Sequence, residues 1–125
     1  MCETAVANNT DVFKLDEAQV DDLQHGVKFD VGKARFDLIS AGPLQELAMI
    51  YTYGAKKYAD RNWEKGMAFG RLYAATQRHL NAFWSGQSID EESGMHHLAH
   101  AAFGMLALME LEKTHPELDD RVVRG

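Results

Sequence analysis

Cysteine is all but absent. Cys2 stands alone in 125 residues, so no disulfide can close within the chain, and a reducing, cytosolic setting is expected. Proline is nearly as scarce: Pro43 and Pro116 are the only two, and they stand where one helix is expected to begin and another to stop. Long apolar runs are missing. The longest, Leu98 to Met109, is broken by His100 and is too short to span a bilayer. No Arg- or Lys-led apolar segment opens the chain, so no secretory signal is expected. Internal repeats, low-complexity tracts and convincing strand alternation are also lacking.

Several catalytic signatures are absent as well. No His-Asp dipeptide occurs, which excludes the usual HD-phosphohydrolase site. There is no Gly-x-Ser-x-Gly and no P-loop, so neither a nucleophile elbow nor Walker-type phosphate binding is written here. The six methionines fall mostly in helical stretches and read as core filler.

What is present is unevenly charged. The formal net charge is −6, but the first 25 residues hold Glu3, Asp11, Asp16, Glu17, Asp21 and Asp22 against Lys14 alone. These residues read as a flexible acidic arm, with a short helical turn possible around Leu15 to Leu23. From Lys28 to Arg78, nine basic residues stand against five acidic ones. A cationic middle in an acidic protein suits a small polyanion better than a long duplex.

Residues 26–125 read as one all-α domain, a small helical bundle. Lys28 to Asp37 forms an ordered loop around Gly32. Leu44, Leu47, Ala48, Tyr51, Ala55 and Tyr58 follow helical spacing, which predicts a helix over 43–58. A loop at 60–70 leads to a second helix over 71–84, with Leu72, Ala75, Thr76, His79 and Phe83 on one stripe. Ser85 and Gly86 end it. Ser88 and Glu91 have capping-box spacing. They predict a third helix from Ile89 or Ser93 to Lys113, apolar on every face from Ala99 to Leu108 and central to the core. The end, 121–125, is expected to fray.

Four of the six histidines gather in the middle of the chain: His79, then His96, His97 and His100 just after Glu92. On a helix begun at Ile89, Glu92, His96 and His100 share a face, with His97 and His100 three apart. Carboxylate and imidazole at such steps can share a metal ion; the same residues can equally be hydrogen-bonded at a helix start. His79 points into the bundle and can meet them. Glu46 and Lys57 mark two ends of one face of the first helix. Lys33 and Arg35 flank the Gly32 turn, where backbone can approach an anion. Asn62 and Trp63 offer an amide and an aromatic ring, which can read and stack on a base or pack the loop onto the bundle.

Taken together these residues resemble a known family. Lys28-x-Asp30-x-Gly32-Lys33-x-Arg35-x-Asp37-Leu38, Glu46, Tyr53-Gly54-Ala55-Lys56-Lys57-Tyr58, Asn62-Trp63, Arg78-His79-Leu80 and Asp90-x-Glu92-Ser93-Gly94-x-x-His97-Leu98-x-His100 look like the dATP/dGTP diphosphohydrolase domain of phages and bacteria. The likeness runs over about residues 26–112. It implies hydrolysis of a purine deoxynucleoside triphosphate to the monophosphate and pyrophosphate, in nucleotide-pool control or, in some phages, in supplying dGMP for 2-aminoadenine DNA. The family is similar in function to the MazG-like all-α pyrophosphohydrolases, which hold Mg²⁺ or Mn²⁺ on Glu-x-x-Glu and Glu-x-x-Asp. This chain departs from that pattern: Met49 stands three residues after Glu46, and the third helix offers Glu92 and histidines.

A mixed site is therefore expected. Glu46, His79, Glu92, His97 and His100, with Asp90 as a further candidate, are the expected metal ligands, for Mg²⁺, Mn²⁺ or a transition metal. Glu46, Glu92, His97 and His100 are the expected catalytic groups. Lys33, Arg35, Lys57, Asn62, Trp63 and Arg78 are the expected contacts to the nucleotide. A homodimer or homotetramer is expected, with no membrane and no stable nucleic-acid complex. The rival reading is a non-catalytic helical module that senses a nucleotide or binds a host protein.

Overall fold

The computed structural model describes residues 25–123; the expected acidic arm, apart from His25, and its helical turn lie outside them. The chain divides into a unit that ends at Ile39 and one that begins at Ser40. In the first, Gly32 adopts a left-handed φ of 83°, the Lys33 N–H donates to the Asp30 carbonyl, and a short 3-10 turn follows at Phe36–Leu38.

The second unit is an all-α bundle of three helices among the described residues: α1 (Ala41–Lys57), α2 (Phe69–Trp84) and α3 (His97–Thr114). The first two match their expected bounds to within two residues. Pro43 lies in the first turn of α1, where its missing N–H costs no hydrogen bond. Lys56 and Lys57 occupy the last turn, where cations oppose the negative end of the helix dipole.

α3 packs on both other helices and is the central element. Phe69 and Leu72 of α2 meet Ala107 and Leu111 of α3 in the buried core, with Trp63, Met67, Phe103, Leu108 and Leu118 packed around them. The closest approach is at Gly104. A Cβ there would overlap Thr76 Oγ1, and that hydroxyl is buried and donates to the Leu72 carbonyl. Not every face of α3 is covered, however: Met105, Leu106 and Met109 are exposed.

α2 begins after Ala68, which has no side-chain cap to offer. The carboxylate of Asp120 fills that place from the far end of the chain, accepting the Gly70 N–H at 2.8 Å. Arg121 bonds Asp119 and reaches Glu112. The expected fraying therefore does not start at Arg121, which is hydrogen-bonded; Val122 and Val123 are exposed, and 124 and 125 lie outside the described residues.

The start of α3 also differs from expectation. The helix begins at His97, not Ile89 or Ser93, and its N-cap is His96, whose Nδ1 accepts the Leu98 N–H at 3.0 Å. Asp90 explains why. Its carboxylate takes both the N–H and the hydroxyl of Ser93, and Gly94 closes the turn at φ 74°, a conformation that favours glycine. A bridge between Ile89 and His96 completes the loop. Local turn chemistry at Asp90 outcompetes the capping-box spacing of Ser88 and Glu91.

Candidate active site

α1, the loop after it, α2, the 90–96 loop and the first turns of α3 line a cleft of about 880 Å³. Its walls carry Lys57, Asn62, Trp63, Arg78, His79, Glu92, His97 and His100, eight of the residues singled out from sequence. Asp90 joins them. Glu46 does not: it is exposed and absent from the lining, although Ile50, Tyr53 and Lys57, further along its helix, are present. Lys33 and Arg35 belong to the unit ending at Ile39, where Arg35 forks onto Asp37 at 2.9 and 2.7 Å.

The imidazoles meet across α2 and α3. His79 stands on the inward stripe of α2, one turn past Thr76, and its ring stacks on His100 at 4.3 Å and 5°. Its Nδ1 lies 2.9 Å from Nδ1 of His97. The Nε2 of His97 lies 3.1 Å from Gln87 Oε1. Gln87 was invisible to sequence reasoning. It follows a helix end in which the Gln87 N–H donates to the Ala82 carbonyl and the Gly86 N–H to that of Phe83, a Schellman close with Gly86 at φ 105°. That close turns Gln87 back toward His97.

The Asp90 loop serves His100. Ser93 Oγ lies 2.8 Å from Asp90 Oδ2 and 2.7 Å from His100 Nε2. A carboxylate can only accept, so the hydroxyl donates to Asp90 and accepts from His100 Nε2–H. Burial disfavours charge on Asp90. The side-chain and backbone hydrogen bonds from Ser93, helped by His100 and His79, nevertheless hold its pKa below the ordinary 3.8.

The rest of the cleft divides by polarity. Trp63, Tyr51 and Phe103 form an edge-to-face cluster, with ring centroids 6.3, 6.2 and 5.0 Å apart, so Trp63 both packs the loop and walls the apolar end. At the polar end Lys57 Nζ lies 3.6 Å from Glu92. The neighbouring Tyr53 and Tyr58, then Glu92, raise its pKa. Arg61 adds a cation from the only non-glycine residue with positive φ among those described.

The donor set bears on which metal could be held. Among the described residues no three His, Cys, Asp or Glu side chains are gathered as an ion cage. Both ring nitrogens of His97 are engaged by protein groups, and Nε2 of His100 is engaged by Ser93. The cleft also carries the carboxylates of Asp60, Glu64, Asp90 and Glu92; Asp90 accepts from Ser93, Glu92 faces Lys57 and Glu64 is held by Arg61. That set fits Mg²⁺ or Mn²⁺, which take one or two carboxylates and complete their shells with substrate phosphates, better than a histidine-bound transition metal.

His79 and His100 share one further property. Burial chiefly lowers the pKa of each below 6.5; on His79 the other two imidazoles and Arg78 add to this and Asp90 opposes it, while on His100 Asp90 opposes and His97 adds. The fold thus prefers both rings neutral. The stability this contributes is present in full above pH 6.5 and is lost as pH falls through the lowered values, because the unfolded chain then binds more protons. Thermal melts are expected to show a lower Tm at about pH 5 than at about pH 7.5. The slope should flatten in His79→Asn; an unchanged slope there would count against the ring's neutral burial.

An all-α bundle with one cleft that sets cations, carboxylates and imidazoles beside an aromatic wall has the chemistry to engage a phosphorylated small molecule. The chain belongs to the dATP/dGTP diphosphohydrolase, N-terminal family, whose model matches residues 24–121. It is also 38% identical over 96 residues to a dATP/dGTP diphosphohydrolase of Salmonella phage PMBT28, a match covering 77% of this chain and 33% of that protein. The chain thus spans about a third of the length of the curated relative it matches. No solved structure matches it.

Proposed function

We propose that this chain hydrolyses a purine deoxynucleoside triphosphate, dGTP or dATP, to the monophosphate and pyrophosphate, with a divalent metal ion, in nucleotide-pool control or modified-DNA synthesis. The observation that carries this is the gathering of Lys57, Arg78, Asp90, Glu92 and His79 around one cleft, read with the name of the family and of the phage relative.

Lys57 and Arg78 bind the phosphate oxygens, where preorganised cations stabilise developing charge. Asp90 and Glu92 would hold Mg²⁺ or Mn²⁺, which when bound neutralises the triphosphate and polarises the phosphorus under attack. Trp63, with Tyr51 and Phe103, forms the wall against which the base lies, and Asn62 contacts base or sugar. The exposed Met105, Leu106 and Met109 favour a homodimer or homotetramer that covers them; sedimentation at the mass of one chain would sink that part. The reaction is tested by incubating the protein with dGTP and Mg²⁺. The expected products are dGMP and pyrophosphate. Release of inorganic triphosphate, or binding of dGTP without turnover in any metal, would overturn the reading.

A further inference from the structure

We propose that Glu64, held by Arg61, selects the base: its carboxylate accepts from the N1–H and the 2-amino group of guanine, and so prefers dGTP to dATP. This rests on the hydrolytic reading above and adds to it the residue that chooses between the two purines.

The charges of the cleft sort its contents. A triphosphate is repelled by a bare carboxylate and needs cations or a metal ion. Asp90 and Glu92, from the loop before α3, are assigned above to that ion. Glu64 comes from elsewhere. It stands beside Trp63 on the short 3-10 turn Asn62–Lys65, and both residues line the cleft. A carboxylate next to the aromatic wall suits the uncharged part of a nucleotide. A base laid on Trp63, Tyr51 and Phe103 turns outward an edge of donors and acceptors, which hydrogen bonds can read.

Glu64 is set in place for this task. Its N–H donates to the Arg61 carbonyl, and its Oε2 accepts from Arg61 Nη1 at 2.8 Å. Arg61 supplies both contacts from a left-handed backbone, φ 57°, an uncommon state for a residue with a side chain. Oε1 of Glu64 has no protein partner among the described residues, and Oε2 keeps a second lone pair. The side chain is 42% exposed, so a ligand can reach both oxygens. Asp60, also in this loop and in the cleft lining, has no side-chain hydrogen bond with a described residue to orient it.

A carboxylate only accepts. Guanine offers it two adjacent donors, N1–H and the 2-amino group. Adenine offers a bare N1 and a C2–H at the same places, so a lone pair would meet a lone pair. A site built to receive donors rejects the analogue that lacks them, because its polar groups are left unpaired. Hypoxanthine keeps N1–H and lacks the amino group, and dITP should fall between the two.

Pyrophosphate release is measured from dGTP, dITP and dATP with Mg²⁺. In the wild type kcat/KM should fall in that order, by about tenfold or more from first to last. Glu64→Gln, whose amide can pair with either purine, should lower kcat/KM for dGTP by about tenfold, mainly through KM, and that for dATP far less. Equal use of the two purines by the wild type, or preference for dATP, overturns the proposal. So does an unchanged ratio in Glu64→Gln, an equal fall for all three substrates, or loss of the preference in Asp60→Asn instead. Should Glu64→Gln fail to fold, the wild-type order and Asp60→Asn still decide. Titration calorimetry with dGMP and dAMP reads the choice without turnover: the wild type should bind dGMP about tenfold more tightly. That difference without pyrophosphate release would defeat the hydrolytic reading alone; release without a base preference would defeat this one alone.

Discussion

Asp90→Asn is expected to cut pyrophosphate release from dGTP by about 10²-fold or more while leaving the helical circular dichroism intact. Asparagine is isosteric and keeps an oxygen to accept from Ser93, so the turn at 90–94 survives. What disappears is the negative charge. In the wild type that charge is fixed by the Ser93 hydrogen bonds and stands 3.5 Å from His100 Nε2. It is one of the two carboxylates proposed above to hold a divalent ion. Its loss should be felt in kcat more than in stability, where a charged hydrogen bond replaced by a neutral one costs about 1 kcal/mol. Glu46→Gln is the matched control. Glu46 is exposed and outside the cleft, and turnover should be unchanged. Wild-type activity in Asp90→Asn, or a dead Glu46→Gln, would remove the basis for locating the chemistry in this cleft.

Gly104→Ala is expected to destabilise the fold by about 1–3 kcal/mol, lowering Tm by roughly 5–15 °C. The added methyl would overlap Thr76 Oγ1 and come within 3.3 Å of Thr76 Cβ. Thr76 cannot simply rotate away, since its hydroxyl is buried and bonded to the Leu72 carbonyl. The helices must part instead, and their contact contains Phe69, Leu72, Ala107 and Leu111. Thr76→Ala should recover part of the loss in the double variant, through a coupling of about 0.5–3 kcal/mol between touching residues. Strict additivity of the two melts would show that the helices do not meet there.

Helical spacing made the extents of α1 and α2 legible, and on α2 the inward stripe too: Leu72, Thr76 and His79 recur at helical steps and do turn inward. On α1 the expected stripe is only partly inward, since Leu44, Ala48 and Tyr58 are exposed and the buried residue is Ile50. The same reasoning placed His79 against the later histidines. It failed at the start of α3, where a three-residue capping pattern competed with an aspartate, a serine and a glycine that make a better turn. That failure moved Glu92 off the helix and removed the imagined Glu92–His96–His100 face. Glu46 was drawn in by helical spacing together with the family resemblance, and neither says how far along a helix a cleft extends; it stands exposed outside this one. Gln87 carried no signal at all, since its partner is ten residues away and its aim depends on the left-handed Gly86. The open face of α3 was illegible for a related reason: an apolar run shows that burial is wanted, not by what.

The carboxylate that closes α2 lies fifty positions downstream of the amide it caps. A ribosome adding roughly 5–20 residues per second would deliver Asp120 some 2–10 s after Gly70. Throughout that interval the nascent helix bearing Arg78 and His79 has an unsatisfied first turn. Vectorial synthesis therefore leaves the first turn of the helix that bears Arg78 and His79 to be closed only after all of α3 has been made.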